Sequence, residues 1–165
     1  MKRSSKHSQL QLRVSKEEKA AIRRAAQRAG LDMSSYVLSR VLPAPEAAFQ
    51  AAFAALNGPA KPSYALAEVS SLLAGFTAPE LRRAIAAAPA VSLAPFLANY
   101  VAAMVETACA MRTIPVPVWT RTIPPLAEPA FGSTLQSLRL YLLTHSPPAF
   151  RRRNIFIDSS VGQRV

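Results

Sequence analysis

The chain has 165 residues, half of them apolar, and a net charge of +11. That apolar share supports a folded core and excludes a disordered chain. A single cysteine, Cys109, excludes an intramolecular disulfide and any multi-cysteine metal site. The uncharged stretch Ser92 to Val105 contains Pro95 and Asn99 and stops at Glu106. It falls short of the roughly 20 apolar residues that span a bilayer. The first eight residues lead into no apolar signal segment. The expectation is a soluble, cytoplasmic protein with no membrane partner.

The placement of charge says more than its total. Residues 1–42 hold ten Lys/Arg against three Asp/Glu. Residues 43–112 hold four of each, and residues 113–165 hold six basic and two acidic groups. Positive charge therefore collects at both ends of a neutral, Ala-rich middle, which points to a polyanionic partner, nucleic acid first.

Residues 1–8 read as a basic arm containing Lys2, Arg3 and Lys6. Gln9 to Val14 alternates strictly, with Leu10, Leu12 and Val14 on one face and Gln9, Gln11 and Arg13 on the other. This pattern predicts a half-buried strand. Ser15-Lys16-Glu17-Glu18 spells a capping box, and a helix is expected to follow as far as Ala29. Gly30 ends it. Asp32 is placed to cap a second helix from Met33 to Leu42, carrying Tyr36, Val37, Val41 and Leu42. Pro43-Ala44-Pro45 then breaks the chain, dividing residues 1–42 from residues 43–165.

Beyond the break the patterns are mostly helical. A helix is expected from Glu46 to Leu56, and another from Ser63 carrying Leu66, Val69, Leu72, Leu73 and Phe76. Thr77-Ala78-Pro79-Glu80 opens a helix to Ala88. Ser92 is expected to cap the longest helix, to Arg112, apolar on one face and alanine-rich on the other. Residues 114–132 hold five prolines with Trp119 and Phe131, which predicts an extended wrap rather than a helix. A last helix from Ser133 to Thr144 is stopped by Pro147-Pro148, and a short strand lies within Phe150–Ile157. Arg151, Arg152 and Arg153 form a solvated basic turn, or a contact for an acidic partner or a second nucleic-acid segment, with Trp119 as a further partner-binding candidate.

One copy of the first module cannot stand alone. Its strand exposes unpaired backbone on both edges, and two short helices cannot enclose Leu10, Leu12 and Val14. Antiparallel pairing of two copies removes both problems and presents a two-stranded ribbon, which fits the DNA major groove. Gln and Arg on its outer face pair bidentately with adenine and guanine. The start of the second helix, Asp32 to Ser35, offers N–H groups to a phosphate.

Residues Leu10–Lys19, with Ala25-Ala26 and Gly30–Val37, resemble the ribbon-helix-helix family, and within it the antitoxins that partner acetyltransferase toxins. The resemblance implies a swapped-strand dimer that binds operator DNA and often represses its own operon. By position, it implies that Gln9, Gln11 and Arg13 face bases and that Ser34 and Ser35 lie near phosphate. Asp32 departs from the Ser or Thr common there, and its carboxylate opposes a phosphate. The segment from Trp119 to Asp158 resembles the end of small helical proteins encoded beside nucleotidyltransferase-type toxins.

Catalysis has little support. His7 and His145 are far apart and in no metal-binding spacing, and no phosphate-binding glycine loop is present. No enzyme activity, cofactor or metal is expected. The expected fold is mainly α: a dimeric ribbon-helix-helix module plus an all-helical C-terminal domain with a proline-rich wrap. The expected function is an antitoxin-like repressor that binds double-stranded operator DNA as a homodimer and a toxin or other protein through residues 43–165. The alternative is a stand-alone regulator or plasmid-maintenance protein whose C-terminal domain senses a ligand. That alternative requires a closed apolar pocket of roughly 300 Å³ or more in residues 43–165.

Overall fold

The computed structural model describes residues 11–41, 43–59 and 61–158. Helix α1 spans Lys16–Arg28 and begins at the capping box. The Glu18 N–H donates to the Ser15 hydroxyl at 3.1 Å, and the Ser15 N–H donates to the Glu18 carboxylate at 2.8 Å. Gly30 takes φ 67°, the left-handed region that a residue without Cβ enters freely. There the chain closes a Schellman turn: Leu31 N–H donates to the Ala26 carbonyl at 3.0 Å and Gly30 N–H to Gln27 at 3.1 Å. Helix α2 spans Met33–Val41 and packs on α1. Ala26, in the last turn of α1, is the buried residue of this pair. The chain divides into two compact units between Pro43 and Ala44.

In the second unit, α3 spans Pro45–Ala54 and continues as a 3₁₀ turn, Ala55–Asn57. Helix α4 spans Pro62–Gly75, α5 Ala78–Ala84 and α6 Pro95–Met111. Four short pieces follow: α7 at Val118–Arg121, a 3₁₀ turn at Gln136–Leu138, α8 at Arg139–His145 and α9 at Pro148–Arg151. The core joins Phe49 and Phe53 of α3, Val69 and Leu73 of α4, Leu81 of α5, Val101, Met104 and Val105 of α6, and Phe150 and Ile155 from the tail. Helix α6 is buried along both faces, as its Ala-rich back predicts. Arg112, just past its end, donates to the carbonyls of Leu73, Ala74 and Phe76, so the last turn of α4 is capped by a side chain from elsewhere.

Several boundaries differ from the sequence pattern, and proline explains most of them. Helix α6 starts at Pro95 rather than after Ser92, because Ala94 precedes a proline and is held at φ −54°, ψ 146°. Helix α5 stops at Ala84, four residues early. The loop beyond it is pinned by Gln50, which donates to the Ala88 carbonyl at 3.3 Å and accepts from Ala90 N–H at 3.0 Å. The proline-rich wrap contains one helical turn, α7. Ser133 caps no helix: its hydroxyl accepts from Leu135 N–H, a local turn. The second unit is also not all helical. Strand β1, Ala130–Phe131, lies in the wrap and pairs in parallel with β2, Ile155–Phe156. Phe131 stacks on Phe156 with ring centres 5.1 Å apart.

Thr77 opens α5 with its N–H and hydroxyl both donating to the Glu80 carboxylate, at 2.9 and 2.7 Å. These bonds hold the Glu80 carboxyl below its ordinary 4.5. Thr77→Ala should therefore cost about 0.5–2 kcal/mol near neutral pH. Glu80's folded-state pKa is depressed, so its contribution is complete above pH 4.5 and is lost as the pH falls through the lower folded value. The gap in melting temperature between wild type and Thr77→Ala should narrow in acid. A gap independent of pH would show that the carboxylate is not the acceptor that matters.

Candidate nucleic-acid interface

Residues 11–15 lead into α1 and belong to no strand or helix among the described residues. The expected strand is not formed here, for a simple reason. A strand is defined by ladder bonds to a neighbour, and one copy of this unit supplies none to residues 11–14. Leu12 is 58% exposed and Val14 44%. Gln11 and Arg13, between and beside them, are exposed too. Leu31, Leu38 and Val41 add further open apolar surface to the same unit. Lys16, Lys19 and Arg23 recur at helical spacing along α1 and are all exposed. Gln9, Leu10, Lys2, Arg3 and Lys6 lie outside the described residues.

Asp32 caps α2, as its position predicts. Ser35 N–H donates to one of its carboxylate oxygens at 3.0 Å and Ser35 Oγ to the other at 2.5 Å. Both donors of Ser35 are thus engaged by an anion of the protein itself, at the helix end where a phosphate was expected. Ser34 is exposed beside it. Arg40 lies over the Tyr36 ring at 5.3 Å, which places a cation near the other end of α2.

In the second unit the four partner-binding candidates separate. Trp119 donates from its indole N–H to the Ile85 carbonyl at 2.8 Å and lies 6.5 Å from the Phe49 ring, so it anchors the wrap to the core. Arg153 is buried. One guanidinium nitrogen donates to Asn99 at 3.0 Å, and the other donates to Glu106 at 2.5 Å and to the Thr120 carbonyl at 2.7 Å. Its environment is the protein interior, not a surface turn. Arg152 lies 3.5 Å from the Glu106 carboxylate with its side chain 71% exposed, and Arg151 is exposed. Of the three arginines, Arg151 and Arg152 present charge outward.

Sequence reasoning did not single out Asn99 on α6 or Thr120 on α7, and it took Glu106 for a polar edge of the long helix rather than the largely buried acid that it is. A signal existed. Asn99 and Glu106 stand seven residues apart on an otherwise apolar helix, hence on one face two turns apart. Asn99 also donates to the Pro95 and Pro124 carbonyls, each at 3.0 Å, so the same side chain fastens the proline-rich wrap. Cys109 is fully buried, and burial, with Glu106 nearby, pushes its thiol up to about 11. No helix among the described residues is long and apolar enough to cross a membrane.

Residues 5–45 match the model of a family of ribbon-helix-helix-type DNA-binding proteins. That family is the NikA-like group, described as mobilization protein NikA. The matched segment takes in the first unit and ends at the head of α3. No curated protein and no solved structure matches the chain.

Proposed function

We propose that this chain binds duplex DNA as a homodimer through a ribbon-helix-helix formed by its first unit, in a DNA-mobilization role, and binds a protein partner through its second unit. The observation that carries this reading is the family match over residues 5–45, which overlaps most of the strongly basic segment 1–42. In the proposed dimer, residues 9–14 of two copies pair antiparallel. Leu10, Leu12 and Val14 are then covered, while Gln9, Gln11 and Arg13 enter the major groove. Lys2, Arg3 and Lys6 neutralise phosphates, and Ser34 is better placed than Ser35 for a phosphate contact because Asp32 occupies the latter. Antitoxin and operator-repressor roles would use the same arm. They require a toxin partner or an operator, for which the support is resemblance alone.

Gln11→Ala and Arg13→Ala test the docking. On a duplex carrying the selected site, each should cost roughly 1–3 kcal/mol if it makes a bidentate base contact. On a scrambled duplex the cost should be much smaller, with Arg13→Ala retaining some loss because it also removes a charge. Titrations of both duplexes at two salt concentrations read the difference. Equal losses on both would remove base reading from the strand.

One observation favours a second reading, a regulator whose second unit senses a small apolar ligand. A cavity of about 320 Å³ lies among Phe96, Tyr100, Phe131, Leu138, Tyr141 and Ile155. It reaches the size that such a ligand needs, and it is open to solvent at Phe96, Leu138 and Tyr141, so a ligand would have to close it. Leu138→Trp would fill it and, under this reading, alter DNA affinity in the same titrations. An unchanged affinity would remove the reading.

A further inference from the structure

A different cavity, of about 350 Å³, opens beside the Arg153 network. Its wall includes Arg121, Arg152, Arg153 and Glu106, with Ile123 and Pro125 as apolar neighbours. We propose that this cavity binds a phosphate group, carried by a small phosphomonoester. The proposal concerns the second unit alone and does not rest on the DNA-binding reading.

The case begins with charge. Three guanidinium groups face one carboxylate, an excess of two positive charges. A structural ion pair accounts for one of them: Glu106 is held at 2.5 Å by Arg153. Arg152, 3.5 Å from the same carboxylate and largely in solvent, adds little to stability there. Arg121 forms no ion pair with a described acidic residue. A phosphomonoester carries about −1.5 to −2 near neutral pH, which matches the excess.

Arg153 is also fixed in place. The Arg153 side chain is 6% exposed, and its Nε is buried with no acceptor among the described residues. Its terminal nitrogens are held by Asn99, Glu106 and Thr120, so the guanidinium sits at the back of the wall as a fixed positive charge. Side-chain type points the same way. Every cation on the wall is arginine, whose planar fork suits the oxygens of a phosphate better than lysine's point charge. The arrangement is graded: Arg153 and Glu106 lie deep, while Arg152 and Arg121 stand exposed at the mouth. The volume exceeds what a bare phosphate needs, and the apolar wall leaves room for the organic body attached to it.

The test uses the full chain and isothermal titration calorimetry at constant ionic strength. The probes are inorganic phosphate, adenosine 5′-monophosphate, and a short single-stranded oligodeoxynucleotide lacking terminal phosphates. Arg121→Gln and Arg152→Gln change exposed side chains, so their folding is checked by thermal melts and expected to be unchanged. Each should weaken adenosine monophosphate and inorganic phosphate by about tenfold or more, the loss of one charge-assisted hydrogen bond. Lys61→Gln, outside the cavity wall, should change neither. If the oligonucleotide alone binds, a phosphomonoester is not the ligand and the proposal falls, even where the two cavity variants weaken that binding. Binding of all three probes that is absent, or indifferent to Arg121→Gln and Arg152→Gln, would overturn the proposal.

Discussion

Arg153→Met should destabilise the protein by about 3–5 kcal/mol, the cost of breaking a buried ion pair from one side. The substitution keeps the bulk and removes every donor. It leaves Asn99, the Thr120 carbonyl and Glu106 without the hydrogen bonds that Arg153 supplies. Glu106 retains Arg152 at 3.5 Å, which places the expected loss toward the lower end of the range. The double variant Arg153→Met, Glu106→Leu should recover much of the loss, because it removes the stranded charge as well as its partner. Urea unfolding of the wild type, both single variants and the double variant completes the cycle. A cost below about 1 kcal/mol for Arg153→Met would mean that the network is dispensable to the fold.

The consequences extend past one ion pair. The Arg153 carbonyl accepts from Leu126 N–H at 3.3 Å, and Asn154 donates from its side chain to the Leu126 carbonyl at 3.1 Å. Asn154 takes φ 62°, a left-handed conformation that asparagine tolerates better than most residues. From there the chain enters β2 and pairs with the wrap at β1. The tail, the wrap and α6 are therefore joined at one place, and Arg153 supplies its buried charge. Proline cannot donate, so a segment rich in proline relies on such outside contacts to hold its path. Trp119, bonded to Ile85, is the second of these anchors.

The helices were legible in the sequence where local chemistry decides their ends. Ser15 with Glu18, Thr77 with Glu80, Gly30 and Asp32 all perform the capping roles that their positions imply, because a cap depends on four or five neighbouring residues. The apolar stripe of α6 was legible for the same reason. Boundaries set by distant residues were not. Gln50 reaches 38 residues along the chain to hold Ala88, and no local pattern encodes that. The β1–β2 pair joins residues 25 positions apart in the register Ala130 to Ile155, across two strands of two residues each. A short strand was expected within Phe150–Ile157, where β2 lies, but β1 was not, because two residues inside a proline-rich wrap carry no alternation to read.

The candidate site divides in the same way. Alternation along residues 9–14 was enough to separate an apolar face from a polar one, and the structure leaves Leu12 and Val14 open to solvent. Arg151, Arg152 and Arg153 read as one basic cluster, since sequence shows charge without depth. Folding sends Arg153 inward because α6 offers Asn99 and Glu106 two turns apart, and leaves its two neighbours outside. Arg121 attracted no notice, standing alone between Thr120 and Thr122. It joins Arg152 only because the wrap carries α7 close to the tail.

The last expectation concerns assembly. Wild-type protein should be a dimer at micromolar concentration, and Leu12→Lys should shift it to monomer and weaken DNA binding by two orders of magnitude or more, about 3 kcal/mol. The logic rests on what Leu12 meets in one copy and what it would meet in two. In a single chain it is 58% exposed, so lysine there is benign to the fold. In a paired ribbon the same position faces the interior, where an unpaired ammonium costs several kcal/mol. Gln11→Lys is the control: it lies one residue away on the opposite face, so it should leave the dimer intact and, if anything, strengthen non-specific DNA binding. Light scattering separates the outcomes. A dimer that survives Leu12→Lys has its interface elsewhere. A wild-type monomer that still binds DNA would remove the strand-paired ribbon from the proposed function.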